Sequence, residues 1–135
     1  MENVIMKFHH IGYAVKDFTH AIDFWERMGY SVKTQVYDNE QNVEVCLLKH
    51  PEQQPQIELL CPHDDKSPIN SILKKNGPSP YHICYEIENI EESISALKVQ
   101  HFMVVIKPKI SNAFNNKRVC FLYNREIGLI EIIEK

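Results

Sequence analysis

Glycine is scarce in this sequence, with four in 135 residues, and proline numbers only seven. Together with 44% hydrophobic and 24% charged residues, this excludes a low-complexity or disordered chain and points to a single globular domain over residues 1–135. An excess of either charge is also missing. Fifteen Lys and Arg stand against eighteen Asp and Glu, a net charge of -3, so there is no basic field with which to hold nucleic acid or an anionic membrane surface. Nor is there a long apolar run at the start, where Glu2, Lys7 and two histidines interrupt MENVIMKFHHIGYAV. That pattern fits neither a signal peptide nor a membrane span, and a cytoplasmic protein is expected. CxxC spacing is absent too. Cys46, Cys61, Cys84 and Cys120 each sit among apolar residues and are expected as small core side chains without chemistry of their own.

What the sequence does contain is a weak internal repeat, found at two separated places in the same order. His10-Ile-Gly-Tyr-Ala-Val-Lys-Asp-Phe18 matches His82-Ile-Cys-Tyr-Glu-Ile-Glu-Asn-Ile90, with His10 and His82 lying 72 residues apart. Gln56-Ile-Glu-Leu-Leu60 matches Leu129-Ile-Glu-Ile-Ile133, with Glu58 and Glu131 lying 73 residues apart. Two copies of one plan, differing in length by a single residue, are implied.

Each copy opens on a β-rich run, Phe8–Val15 or Tyr81–Ile87, that ends at a good helix N-cap, Asp17 or Asn89. Phe18, Ala21, Ile22, Trp25 and Met28 then recur at helical spacing until Gly29, and Ile90, Ile94 and Leu97 do so in the second copy. Trp25 is expected to pack that first helix onto its sheet. Three strands follow each helix: about 31–37, 43–48 and 56–60, then about 102–107, 118–123 and 129–133. Ser67 and Pro68 read as an N-cap and first-turn proline of a linker helix over about 67–76, which Gly77 and Pro78 end. The fold class is therefore α+β, built from two βαβββ modules over about 8–61 and 80–134.

Strand side chains alternate between faces, so His10, Gly12 and Ala14 share one face while His9, Ile11, Tyr13 and Val15 share the other. The second set suits packing under the helix; the first leaves room before the imidazole. His82, Cys84 and Glu86 repeat the arrangement less cleanly. Glu58 and Glu131 are carboxylates inside strongly apolar strands, where acid groups need a partner. A lone strand Glu is usually solvated, but a matched His and Glu in both copies would bring two imidazoles and two carboxylates together. His10, Glu58, His82 and Glu131 are accordingly the candidate ligands of one divalent ion, such as Co, Ni, Zn, Mn or Fe(II). Glu44, on the face of Cys46 and Leu48, is the candidate general base. His20, His50, His63 and His101, near caps or turns, are expected at the surface.

HHIGYAVKDFTHAIDFWERMGY, IELLCP, SPINSILKKNG, YHICYEIENIEESISALK, NKRVCFLYN and GLIEIIEK together resemble the vicinal-oxygen-chelate superfamily over essentially the whole chain, and its methylmalonyl-CoA epimerases more than glyoxalase I. The chain departs from the epimerase pattern at Tyr123–Gly128 and in the amide-rich stretch Ser111–Asn116. The resemblance implies an open eight-stranded mixed β-barrel or cup with flanking helices, metal ligands at His10, Glu58, His82 and Glu131, a catalytic carboxylate at Glu44, and a homodimer. It also implies proton abstraction next to the carbonyl of a small thioester, with Glu131 serving the opposite face. The alternatives are a glyoxalase I-type lactoylglutathione lyase acting on a thiol hemithioacetal, and a metal-free ligand-binding or resistance module. A ring-cleaving dioxygenase is disfavoured by Glu58, a second carboxylate ligand.

Overall fold

The computed structural model describes residues 4–135. By its internal contacts the chain forms two compact units, one of His10–Tyr81 and one of the described residues up to His9 with His82–Lys135. In chain order the elements are β1 (Lys7–Ala14), α1 (Phe18–Arg27), β2 (Ser31–Asp38), β3 (Val43–Lys49), β4 (Gln56–Pro62), α2 (Ile69–Asn76), β5 (Ser79–Ile87), α3 (Ile90–Val99), β6 (Met103–Ser111), β7 (Lys117–Asn124) and β8 (Gly128–Glu134). This is the expected α+β plan of βαβββ used twice. No helix among the described residues is long and apolar enough to cross a membrane.

In the first unit β1 runs parallel to β4, and β2-β3-β4 is an antiparallel meander. One face of this sheet carries Val15, Cys46, Leu48, Ile57, Leu59 and Cys61, all buried beneath α1. Ile11, Tyr13, Phe18, Ala21, Ile22 and Trp25 pack against that cluster. The Trp25 ring meets Tyr13 edge-on at 4.9 Å, so it does pack the helix onto the sheet. At the start of β1 the His9 ring meets Phe114 edge-on at 5.3 Å. The Asp17 side chain caps α1 by accepting from the Thr19 amide at 3.0 Å.

The second unit repeats the plan: β5 is parallel to β8, and β6-β7-β8 is antiparallel. Ile87, Ile90, Leu97, Cys120, Leu122, Ile130 and Ile132 form its core under α3, whose N-terminus is capped by Asn89 at 2.9 Å from the Glu92 amide. Two boundaries differ from the sequence reading. β6 continues to Ser111 through Pro108, which an edge strand tolerates because the missing N–H is one that need not pair. The N-cap of α2 is Pro68, and the buried Ser67 side chain makes no cap bond; a first-turn amide, that of Asn70, bonds the Ser67 backbone carbonyl instead.

Candidate metal centre

Register places the first His–Glu pair. In the parallel β1–β4 ladder Gly12 lies opposite Glu58, and His10 projects two residues earlier from the same face. Gly12 offers no side chain there, so the carboxylate leans across it and Glu58 Oε1 lies 3.2 Å from His10 Nε2. Both residues are buried, at 0% and 5% exposure. On the other side of β4, Leu47 stands opposite Glu58 and keeps the carboxylate in an apolar wall.

The second pair has the same construction in its own unit. Small Cys84 lies opposite Glu131 in the parallel β5–β8 ladder, and Glu131 Oε1 lies 3.2 Å from His82 Nε2. Both are buried, and the Phe121 ring, on the residue opposite Glu131, meets the His82 ring edge-on at 5.1 Å. The structure thus brings His10 to Glu58 and His82 to Glu131, by one register relationship used twice.

Each pair suits a metal chemically. A neutral imidazole Nε2 and a carboxylate oxygen are donors that divalent first-row ions accept. Two donors at about 2.1 Å from one ion and at right angles stand about 3 Å apart, close to the separation within each pair. Burial of a carboxylate in an apolar strand calls for such a cationic partner or a protonated histidine.

Glu44 lies on a different face from the His10–Glu58 pair. The β3–β4 ladder pairs Leu47 with Glu58 and Glu44 with Cys61. Because paired residues share a face and neighbours along a strand alternate, Glu44 projects from the face that packs under α1, opposite the face of His10 and Glu58. There its carboxylate bonds the ring Nδ1 of His63, which stacks on Tyr37 at 4.0 Å between centroids. Tyr37 donates its hydroxyl to Asn42 Oδ1 at 3.0 Å, and Asn42 Nδ2 donates to Asp64 at 2.7 Å. His63 is therefore exposed, as read from sequence, but engaged. The residues of β3 that share the Glu58 face are Val43, Val45 and Leu47, all buried and apolar.

Two further residues, to which no role attaches from sequence, lie on the donor face of the second unit. Glu86 follows His82 and Cys84 by strand alternation, and Lys117 follows Phe121 and Val119 on β7. Lys117 Nζ lies 3.9 Å from Glu86 Oε2, and both side chains are partly exposed. Glu86 could have been found from its even spacing to His82, whereas Lys117 needed the β7–β8 register.

A family model described as the Glyoxalase/Bleomycin resistance protein/Dioxygenase superfamily matches residues 9–121. The chain belongs to this superfamily. Among its members, a mitochondrial methylmalonyl-CoA epimerase of Dictyostelium discoideum is 31% identical over 97% of this chain and 80% of its own length. The crystal structure of methylmalonyl-CoA epimerase from Mycobacterium tuberculosis superposes with a TM-score of 0.87 at 24% identity, covering 99% of this chain and 91% of that one. A methylmalonyl-CoA epimerase in complex with methylmalonyl-CoA and ammonium superposes with a TM-score of 0.84 at 21% identity, over 98% and 96%. These likenesses extend the superfamily fold over nearly the whole chain.

Within that fold the cysteines lie in the core, as expected from sequence. All four are buried and outside any disulfide. Loss of hydration pushes the thiols of Cys46, Cys61 and Cys120 up to about 11, aided by Glu26 at Cys46 and Glu44 at Cys61 and opposed by Lys98 at Cys120.

Proposed function

We propose that the chain is a metal-dependent epimerase of a CoA thioester, moving a proton at the carbon next to the thioester carbonyl. The observation that carries this reading is the twofold use of one buried His–Glu pair, at 3.2 Å in each unit, within a chain similar to methylmalonyl-CoA epimerases. In this reading His10, Glu58, His82 and Glu131 hold one divalent ion, of the Co, Ni, Zn, Mn or Fe(II) class. The ion supplies Lewis-acid polarisation of the carbonyl and offsets the negative charge that grows there.

The protein's own groups do the rest. The imidazoles stay neutral to keep Nε2 as a donor, and the apolar residues beside Glu58, Val45 and Leu47, exclude water from its carboxylate. In this reading Glu131 would exchange the proton at one face of the α-carbon and water would serve the other. Cytoplasmic residence and a homodimer are part of the same reading. The first is supported by four cysteines outside any disulfide, and the second by the exposed Met103, Val105 and Ile110 on edge strand β6. Sedimentation as a pure monomer at micromolar concentration would remove the dimer.

The deciding experiment incubates metal-loaded protein in D2O with methylmalonyl-CoA and, separately, with methylglyoxal–glutathione hemithioacetal. Deuterium entering the α-carbon in the first tube alone is the expected result, together with one bound ion per chain by elemental analysis. Turnover in the second tube alone would transfer the chain to the lyase reading, and silence in both would leave a binding module.

A further inference from the structure

Asn76 and Gly77 are the one Asn-Gly pair of the sequence, and they stand where α2 ends. Gly77 leaves the helix at a φ of 69°, a left-handed conformation that glycine adopts without strain. Its amide donates to the Leu73 carbonyl at 2.8 Å. In the tighter form of such an ending, the amide of the next residue adds a second bond back to the last turn. Here the next residue is Pro78, which has no N–H, so a single bond closes the helix. Helix ends fray, and an end tied by one bond opens readily. Asn76 is exposed, and its side-chain amide has no partner among the described residues. Asn70, which also precedes a small residue, is held differently. Its Nδ2 donates to the Asp64 and Ser67 carbonyls at 2.9 and 3.1 Å, and the Ser71 amide donates to the Pro68 carbonyl at 3.3 Å.

We propose that Asn76 is a site of spontaneous covalent modification, becoming aspartate or isoaspartate through attack by the Gly77 nitrogen when the end of α2 opens. A bond forms between that nitrogen and Cγ of Asn76, the Cγ–Nδ2 bond breaks, and the side-chain nitrogen leaves as ammonia. The Gly77 amide proton passes through solvent to the departing nitrogen. Water then opens the cyclic imide at either carbonyl, so the step needs neither oxidant nor reductant. Glycine suits the attack because no side chain crowds the ring, and nothing lies within 4 Å of where a Gly77 Cβ would stand. Either product puts a carboxylate at the negative end of α2, a cost that Lys74 and Lys75 in the last turn offset in part. Isoaspartate also lengthens the main chain ahead of β5. Because β5 is registered on β8 from Ile83 onward, the change falls on α2 and the turn after it.

The test incubates the intact protein in warm, mildly alkaline buffer and follows each asparagine by peptide mass spectrometry. Isoaspartate is recognised as the deamidated form that an aspartate-specific endoprotease leaves uncut. Asn76 should react about tenfold faster than Asn70 or more, since three bonds hold Asn70 and the amide after it while one holds Gly77. Pro78→Ala returns the missing N–H. It should slow the reaction of Asn76 about 2- to 10-fold in the folded protein, the worth of one backbone hydrogen bond, and leave it unchanged in urea, where the helix is gone. Asn76→Gln, whose longer side chain closes a larger and slower-forming ring, should lose the reaction. An Asn76 rate no greater than that of Asn70 overturns the site. A folded Pro78→Ala protein that reacts as fast as wild type overturns the role of the single-bond ending.

Discussion

Glu44 shows how a side chain of the right chemistry can stand on the wrong face. Its carboxylate belongs to a row with Cys46 and Leu48, and the β3–β4 register sends that row toward α1. The row one residue out of phase, Val43, Val45 and Leu47, accompanies Glu58 and offers no acid. Glu44→Gln should accordingly keep α-proton exchange within about threefold of wild type, a difference under 1 kcal/mol in the barrier. A loss of two orders of magnitude with metal still bound would reverse the face assignment. The pairing of His10 with Glu58 and of His82 with Glu131 was legible because the same His and Glu positions recur in both copies. Glu44 appears once. The sequence showed which residues flank it, but the pairing of Leu47 with Glu58 across strands is a three-dimensional fact that no spacing along one strand contains.

At the scale of elements, periodicity and caps were enough to find β1 to β8 and α1 to α3, with ends displaced by a few residues, but not the 3-10 turn at Asn112–Phe114. The longest displacement is in β6, where Pro108 reads as a terminator although it sits in an edge strand that need not donate. What ties α3 to its sheet was not visible in sequence. Arg118 on β7 bonds Glu91 on α3 at 2.9 and 3.0 Å and Glu134 on β8 at 3.0 Å. Glu134 also accepts from the Ile90 amide at the start of α3. The Arg118 guanidinium holds both carboxyls below their ordinary value, assisted at Glu134 by that amide. Carboxyls held down in the folded state contribute stability that is present above the unfolded value, about 4.3, and lost as pH falls through their lower folded values. Arg118→Met should therefore lower the melting temperature modestly at pH 7, since these groups are largely exposed, and the deficit relative to wild type should shrink below about pH 4. Equal deficits at pH 7 and pH 3, measured by thermal denaturation, would assign the loss to packing of the arginine stem.

For the whole molecule, duplication fixes more than the donor set. Each unit contains its own parallel strand pair, its own helix over an apolar face and two cysteines: Cys46 and Cys61 in one, Cys84 and Cys120 in the other. Three of these thiols, those of Cys46, Cys61 and Cys120, are pushed up to about 11, so at neutral pH on the order of one in ten thousand is the reactive thiolate. Burial removes access as well. Intact protein should consequently resist iodoacetamide, and a cysteine should acquire its label only while the strand that carries it is open. Mass spectrometry after brief alkylation in rising urea then becomes a clock with two hands. Joint labelling of Cys46, Cys61 and Cys120 would mean that both copies come apart in one event. A lag between the first unit's two labels and that of Cys120 would mean that the copies, alike in plan, have kept separate thresholds for unravelling.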